Sequence, residues 1–502
     1  MIRYRINLSG RAAHLYRVTL SIKRPAAQQA FSLPVWIPGS YKVREFSRHL
    51  QGLRARQGGR EIALRQVAKN RWIADCSAAD PLELDYAAYA FDASVREAWL
   101  DQDRGFFNGT SLCLRVEELE AQAHAIEFDA LPTGWQVATA MDAQDGRYVA
   151  ADYDELVDHP FELGTFWRGH FEAGGVPHEI VVSGALPVFD GARLLADAQR
   201  ICAAQIAFWG ELPFKRYLFL LNAVDEGNGG LEHRASTALI AARRDLPRLG
   251  QPASEVSDGH VRLLGLISHE YFHSWNVKRL RPAELARYDY ERENHTELLW
   301  FFEGFTSYYD ELFLLRAGLI DVPRYLKLLA TTVNAVLAAP GRHVQSLAAS
   351  SYEAWTKYYL PDENTPNAVV SYYAKGALVG LALDLSLRAA GSGLDALMQA
   401  LWRRSSGGPI DEALIFSAVT ELGGAALTEQ LRAWVHGTED LPLAELLAQQ
   451  GVSWKADKLP LAQRLGLRMQ GDTLKIRTVL SGSPAAAAGL SAGDELLASN
   501  QW

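Results

Sequence analysis

Over the first ~165 residues, apolar and polar positions alternate in short runs. In "YRVTLSI", residues 16–22, Val18, Leu20 and Ile22 are separated by polar positions, and in "FSLPVWIPG", residues 31–39, Phe31, Leu33, Val35 and Ile37 repeat the pattern. A period of two marks strands with one buried face. Turn residues in "IPGS" and "RQGG" punctuate the runs, so an antiparallel, sandwich-like β domain is predicted for residues 1–165. Two more strands are expected in "TFWRGHFEA" and "HEIVVSG". A helix follows from about Gly191 to Gly210, its apolar side carrying Leu194, Ala198, Ile201 and Phe208. The strand "RYLFLLNAV" then runs into the Gly-rich turn "DEGNGG".

From about Asp258 to Gly451 the period changes to that of helices. In "HVRLLGLISHEYFHSW", Val261, Leu264, Ile267 and Tyr271 share one side, with Asp258 as the expected N-cap. In "TELLWFFEGFTSYYDELFLLRAG", Thr296 is the expected N-cap and Gly318 the residue just past the end. The last stretch, 453–502, returns to short strands and Gly/Pro turns. The fold class is therefore multidomain α+β: an N-terminal antiparallel β domain (1–165), a mixed and then mostly helical domain (166–452), and a small β-containing segment (453–502).

Composition narrows the function classes. With 48% hydrophobic and 22% charged residues over 502 positions, the chain can bury several cores and is neither disordered nor fibrous. The net charge of −9 gives no attraction for nucleic acid or an anionic membrane. Cys76, Cys113 and Cys202 have no paired spacing, so neither a disulfide framework nor a thiolate metal site is expected. The N-terminus carries charges throughout, without an apolar run of signal-peptide length. The apolar run "ALVGLALDLSL" is short and contains Asp384, so membrane insertion is not expected. A cytoplasmic location is the expectation.

The chemistry concentrates in "LISHEYFHSWNVKRLRP", residues 266–282, where His269, Glu270 and His273 form H-E-x-x-H. On a helix, i and i+4 share a face, so two imidazoles can meet one ion while Glu270 stands beside the open position as a base. With thirteen histidines, the motif arises by chance at a rate of roughly a few per cent. Downstream, Glu303 lies among Leu298, Leu299, Trp300, Phe301, Phe302, Phe305, Tyr308 and Tyr309. A carboxylate in that company needs a positive partner, either a metal ion or an arginine such as Arg279 or Arg281. Glu291 and Glu293 are rival ligands, although "YDYERENH" reads as a solvated loop; Glu297 is the candidate for a supporting carboxylate.

At these residues the chain resembles a known group. HEYFH followed by "LWFFEGFTSYY" is similar to the gluzincin aminopeptidases. So are "GNGGLEHRAS", residues 227–236, and "SYYAKGALVG", residues 371–380. With "HSWNVKRLRP" and "SGSPAAAAGLSAGDELLA" added, the resemblance is to the glycyl aminopeptidase family, which joins a β domain, a thermolysin-like domain and a PDZ module. It spans essentially the whole chain.

The resemblance implies Zn2+ as cofactor with His269, His273 and Glu303 as ligands, Glu270 as general base and Tyr373 as oxyanion donor. Read from the residues alone, Tyr373 could equally be an ordinary core tyrosine beside Tyr372. Glu232 would grip the substrate's α-amine, with Gly229 and Gly230 letting the backbone approach a peptide closely; the alternative is a carboxylate paired with His233 or Arg234. His233 would either orient Glu232 or line the pocket. The implied substrates are peptides with a free N-terminal glycine or alanine. About half of a PDZ module fits in 453–502, so a protein C-terminus is an expected ligand only if a full module exists. Two other functions share these features: a zinc endopeptidase of the same fold, and a PDZ-containing scaffold with a degenerate peptidase core.

Overall fold

The alternating runs at the N-terminus fold as strands in the computed structural model, which describes residues 1–252 and 255–498. The chain divides into two units, Met1–Lys278 with Tyr288–Glu293, and Arg279–Arg287 with the chain from Asn294 onward. It is multidomain α+β: β-sheets at the N-terminus, then a mixed sheet, then a mostly helical region.

In the first unit, β1 (Ile2–Gly10), β2 (Leu15–Ile22), β3 (Leu50–Gln57), β4 (Leu82–Tyr89) and β5 (His124–Asp129) belong to an eight-stranded sheet. The predicted alternation holds: Tyr16, Val18, Leu20 and Ile22 of β2 are buried, and Val18 sits opposite Tyr86 and Leu20 opposite Leu84 of β4. The sheet is not wholly antiparallel as expected, because β1 lies between β2 and β5 and pairs with β5 in parallel, Tyr4 opposite Ile126. Alternation reports which face is buried but not strand direction, and a parallel partner needs a long crossover, here supplied by the chain between Gly10 and His124. Two four-stranded sheets complete this region and share its core, which includes Tyr4, Phe31, Leu84, Phe107 and Phe161. Three core tyrosines spend their hydroxyls on one backbone segment, Tyr86 donating to Leu112 O (2.6 Å), Tyr153 to Cys113 O (2.8 Å) and Tyr4 to Leu114 O (2.7 Å). The three cysteines are free.

The second part of this unit is a five-stranded sheet of β6 (Trp167–Ala173), β7 (Val176–Ser183), β8 (Tyr217–Val224), β9 (Asn228–Glu232) and β10 (Ser236–Ala242), in the order β6-β7-β8-β10-β9. The inner pairs β7/β8 and β8/β10 are parallel and the outer pairs antiparallel. The segment expected as a Gly-rich turn thus ends as an edge strand. Helix α1 (Gly191–Trp209) buries Leu194, Ala198, Ile201 and Phe208, and ends at Gly210 in the left-handed region, φ +80°. Helix α2 (Asp258–Phe272) starts one position away from expectation. Ser257, not Asp258, is the N-cap and accepts from the His260 N–H at 3.0 Å, leaving Asp258 in the first turn, where its charge complements the helix dipole.

In the second unit, α3 (Leu299–Arg316), α4 (Val322–Leu337), α5 (Ala374–Ala389), α6 (Glu412–His436) and α7 (Leu443–Gln449) are the elements that matter here. Helix α3 is buried almost all round, as its aromatic sequence requires. It begins two residues later than Thr296 as N-cap predicts, with Leu298 in the cap position. Thr296 Oγ1 accepts from Leu298 N and donates to Glu284, while the Trp300 N–H at the helix start is taken by Ser351 Oγ at 3.0 Å. In α5, buried Asp384 is held by the Tyr308 hydroxyl (2.8 Å), the Leu394 N–H (2.7 Å) and Arg388 Nε (2.9 Å). Among the described residues no single helix is long and apolar enough to cross a membrane. The segment expected to be PDZ-like contains two paired strands, Leu467–Met469 and Ile476–Val479, and a helical turn, Pro484–Ala487, around Leu467, Ile476 and Ala485. Its last residues, 499–502, lie outside the described residues.

Candidate active site

Helix α2 carries the H-E-x-x-H spacing to its C-terminal end, with His273 as the C-cap. His269 Nε2 and His273 Nε2 lie 3.1 Å apart, with the rings nearly perpendicular at 85°. Two nitrogens held about 2.0–2.1 Å from one tetrahedral zinc would be roughly 3.3 Å apart, so the pair fits a shared ion. His273 Nδ1 lies 2.8 Å from the Asn276 carbonyl. With its proton donated there, the Nε2 lone pair is left for a metal, the orientation that an outer hydrogen bond gives a ligating histidine.

Glu270, on the same helix, is buried at 5% exposure and lies against edge strand β9. A Cβ at Gly230 would come 2.1 Å from Glu270 Oε1, so position 230 must be glycine for this carboxylate to fit. Arg96 Nη2 donates to the Gly230 carbonyl at 3.2 Å. Gly229 is less crowded, its nearest neighbours being at 3.8 and 3.9 Å.

At the end of β9, Glu232 is buried at 4% exposure, and its Oε1 has no hydrogen-bond partner. Gly39, at φ +91° in the "IPGS" turn, presses on it; a Cβ there would sit 2.6 and 2.7 Å from its two carboxylate oxygens. Ligand atoms of Glu232, Glu270 and His273 all lie within 4.8 Å of one another. Two buried carboxylates so close form a strongly cation-seeking space, and a buried oxygen without a donor requires an explanation.

His233 turns elsewhere. Its Nδ1 lies 3.6 Å from Asp158 Oδ1, and the same oxygen is 2.6 Å from Lys278 Nζ. Burial alone would raise the Asp158 carboxyl, but Lys278 and His233 outweigh it and hold it well below the usual carboxylate range. His233 is therefore tied into a buried ion network and its ring is not spent on Glu232.

In the second unit Glu303 is 2% exposed on α3. Tyr373 is the N-cap of α5, its ring stacked against those of Tyr358 and Tyr372 and its hydroxyl 3.5 Å from that of Tyr359. Burial first, and the Glu303 carboxylate second, push the Tyr373 phenol well above its ordinary value, so it stays a proton donor. What brings these two residues to one place is the neighbouring glycine pair. A Cβ on Gly304 would lie 2.5 Å from Gly376 Cα, so α3 and α5 touch backbone to backbone where the E-G-F and K-G segments meet. The rival ligands Glu291 and Glu293 are exposed, and so is Glu297, the expected supporting carboxylate. Sequence reading passed over Gly39 and Arg96. The only signal at Gly39 was a Pro-Gly turn, which does not say what the turn touches.

Two family models match the chain: the Peptidase M61 N-terminal domain over residues 3–165 and the M61 glycyl aminopeptidase over residues 262–379. The second range holds His269, Glu270, His273, Glu303 and Tyr373. Among solved structures, an aminopeptidase N family protein from Idiomarina loihiensis is 40% identical, with 99% of this chain and 89% of that one covered and a TM-score of 0.94. An M1 zinc metallopeptidase from Deinococcus radiodurans shares the fold at 16% identity, covering 88% of this chain and 94% of that one, with a TM-score of 0.52. A mutant of that enzyme bound to a Tyr-Ser-Ala substrate matches at 15% identity over the same shares, with a TM-score of 0.53. No curated protein sequence was found to match.

Proposed function

The chain belongs to the M61 glycyl aminopeptidase family of zinc metallopeptidases, and from that premise we propose that it removes N-terminal glycine or alanine from peptides with a free amine. The residues proposed to hold zinc are His269, His273 and Glu303; two neutral imidazoles and a carboxylate suit that ion and leave one position open. Zinc bound there supplies Lewis-acid activation of the attacking water and of the scissile carbonyl.

The remaining work falls to the chain's own groups. Glu270 takes the proton of the attacking water on its carboxylate and delivers it to the departing amine. Tyr373, kept protonated, donates from its hydroxyl to the oxygen on which negative charge develops. Glu232 pairs with the substrate's α-ammonium, and this fixes cleavage one residue from the N-terminus. A small first residue is proposed from the family's description.

The observation that carries the aminopeptidase reading is the buried carboxylate of Glu232, its Oε1 partnerless, with an oxygen within 4.8 Å of one of Glu270. An N-terminal ammonium is the cation whose placement there also presents the first peptide bond to a base. The test is hydrolysis of glycyl and alanyl chromogenic amides, each with a free and an acetylated amine, before and after chelation, with metal content measured alongside. Zinc-dependent cleavage confined to free-amine substrates is expected. Equal cleavage of the acetylated amides would make the protein an endopeptidase, and zinc without cleavage of any of these amides would overturn the aminopeptidase reading in favour of an endopeptidase or an inactive scaffold.

A further inference from the structure

The lysine of the segment "SYYAKG" has no part in the chemistry above. Lys375, in the first turn of α5, is 1% exposed, and its Nζ has no hydrogen-bond partner. It lines a cavity of about 110 Å3 with Val336 and Leu337 from the end of α4, Leu378 from α5, Leu443 from α7, and Asp440 and Trp454.

An ammonium shut away from water is costly unless something negative meets it. The one carboxylate in the lining, Asp440, is already engaged: Arg342 Nε lies 2.8 Å from its Oδ1 and Nη2 3.4 Å from its Oδ2, and His343 Nε2 is 3.9 Å from Oδ2. Lys375 and Arg342 thus set two basic groups beside one carboxylate. Burial pushes the Lys375 amine down from its usual value, Asp440 opposes that, and Arg342 adds to it. The rest of the wall is aliphatic, apart from the Trp454 indole. A cavity with one unspent cation and apolar walls is complementary to a small anion on an apolar stem. Benzene fills a cavity of about 150 Å3, so this one has room for about four to six non-hydrogen atoms.

We propose that this cavity is a binding site for a short aliphatic carboxylate, with the Lys375 amine, shielded from solvent as it stands, turning into the cavity to pair with the carboxylate and the stem packed against Val336, Leu378 and Leu443. The site is distinct from the residues assigned to peptide cleavage, and it does not depend on that assignment. Because the anion restores the charge balance around Lys375, its neutral amide analogue loses the main contact. Inorganic phosphate, which has no apolar stem, leaves the walls unfilled.

The full-length protein is titrated calorimetrically with isobutyrate, isobutyramide and inorganic phosphate, and the same titrations are run on Lys375→Met and Ala444→Phe. Ala444 lies on an exposed position of α7 and lines the same cavity. A phenyl ring there competes with a ligand for the space while Lys375 itself is unchanged, and so keeps the test valid if Lys375→Met fails to fold. The expected result is one isobutyrate per chain, amide and phosphate each weaker by at least about tenfold, and no binding in either folded variant. Absence of saturable binding at millimolar isobutyrate overturns the proposal. So does equal binding of amide or phosphate, or unchanged binding in a folded variant.

Discussion

A methyl group at position 39 would collide with both oxygens of Glu232, and the backbone there, at φ +91°, is one that an alanine adopts only under strain. Gly39→Ala should therefore displace the carboxylate proposed to hold the substrate amine. Its KM for alanyl amides is expected to rise by about tenfold or more, with zinc content unchanged; steady-state kinetics with metal analysis checks both. Glu270→Gln is expected to keep zinc and lose turnover by about 10²–10⁴-fold, the usual worth of a general base. A third expectation concerns the Asp158–Lys278 pair, whose side chains are 11% and 3% exposed. The native Asp158 carboxyl lies below its unfolded value, so its stabilisation is present at neutral pH and is lost as pH falls below about 4 toward the native value. Lys278→Met takes the ammonium from the buried carboxylate and leaves it only His233 and the Arg234 N–H, which should cost up to about 3–5 kcal/mol at pH 7. Denaturant titrations across pH should show the gap between mutant and parent narrowing as pH falls. At this scale the sequence was most legible where chemistry fixes spacing, as in His269, Glu270 and His273. It was least legible where the requirement is only an absent side chain, as at Gly39.

Helices announced themselves through their periodicity, but their starts did not. Helix α2 begins with Ser257 as cap and α3 after Leu298, because the first free N–H groups of α3 are met partly by Ser351, 51 residues away from Trp300. A contact from so distant a segment leaves no mark in the local pattern. The glycines of the E-G-F and K-G segments were visible as letters; their purpose, letting α3 and α5 touch, required the structure. Gly376→Ala would place a Cβ 2.7 Å from Trp300 O and 2.9 Å from Gly304 Cα. Forcing the helices apart should cost about 1–3 kcal/mol, or a fall in Tm of several degrees. Turnover should fall further than stability accounts for, since Glu303 and Tyr373 flank this contact. Calorimetry and kinetics on the same preparation separate the two effects.

For the molecule as a whole, zinc is expected to act as a stabilising ligand. Chelation should lower the Tm, and at a zinc concentration a thousandfold above the dissociation constant the difference corresponds to about 4 kcal/mol; a thermal scan with metal restored after chelation checks reversibility. Sequence patterning conveyed the succession of β, mixed and helical regions, because burial writes its period into each segment. It did not convey that β1 and β5 run in the same direction, because pairing partners more than a hundred residues apart have no local signature. That pairing has a consequence for how the chain is made. Strand β1 has β2 on one side from early on, but the neighbour on its other side, β5, begins only at His124. At roughly 5–20 residues per second of synthesis, the 113 intervening positions take about 6–23 s to emerge. Throughout that interval the nascent chain displays an unpaired apolar edge at the centre of its future sheet, which makes the N-terminal strand the part of this protein most in need of a chaperone at the ribosome.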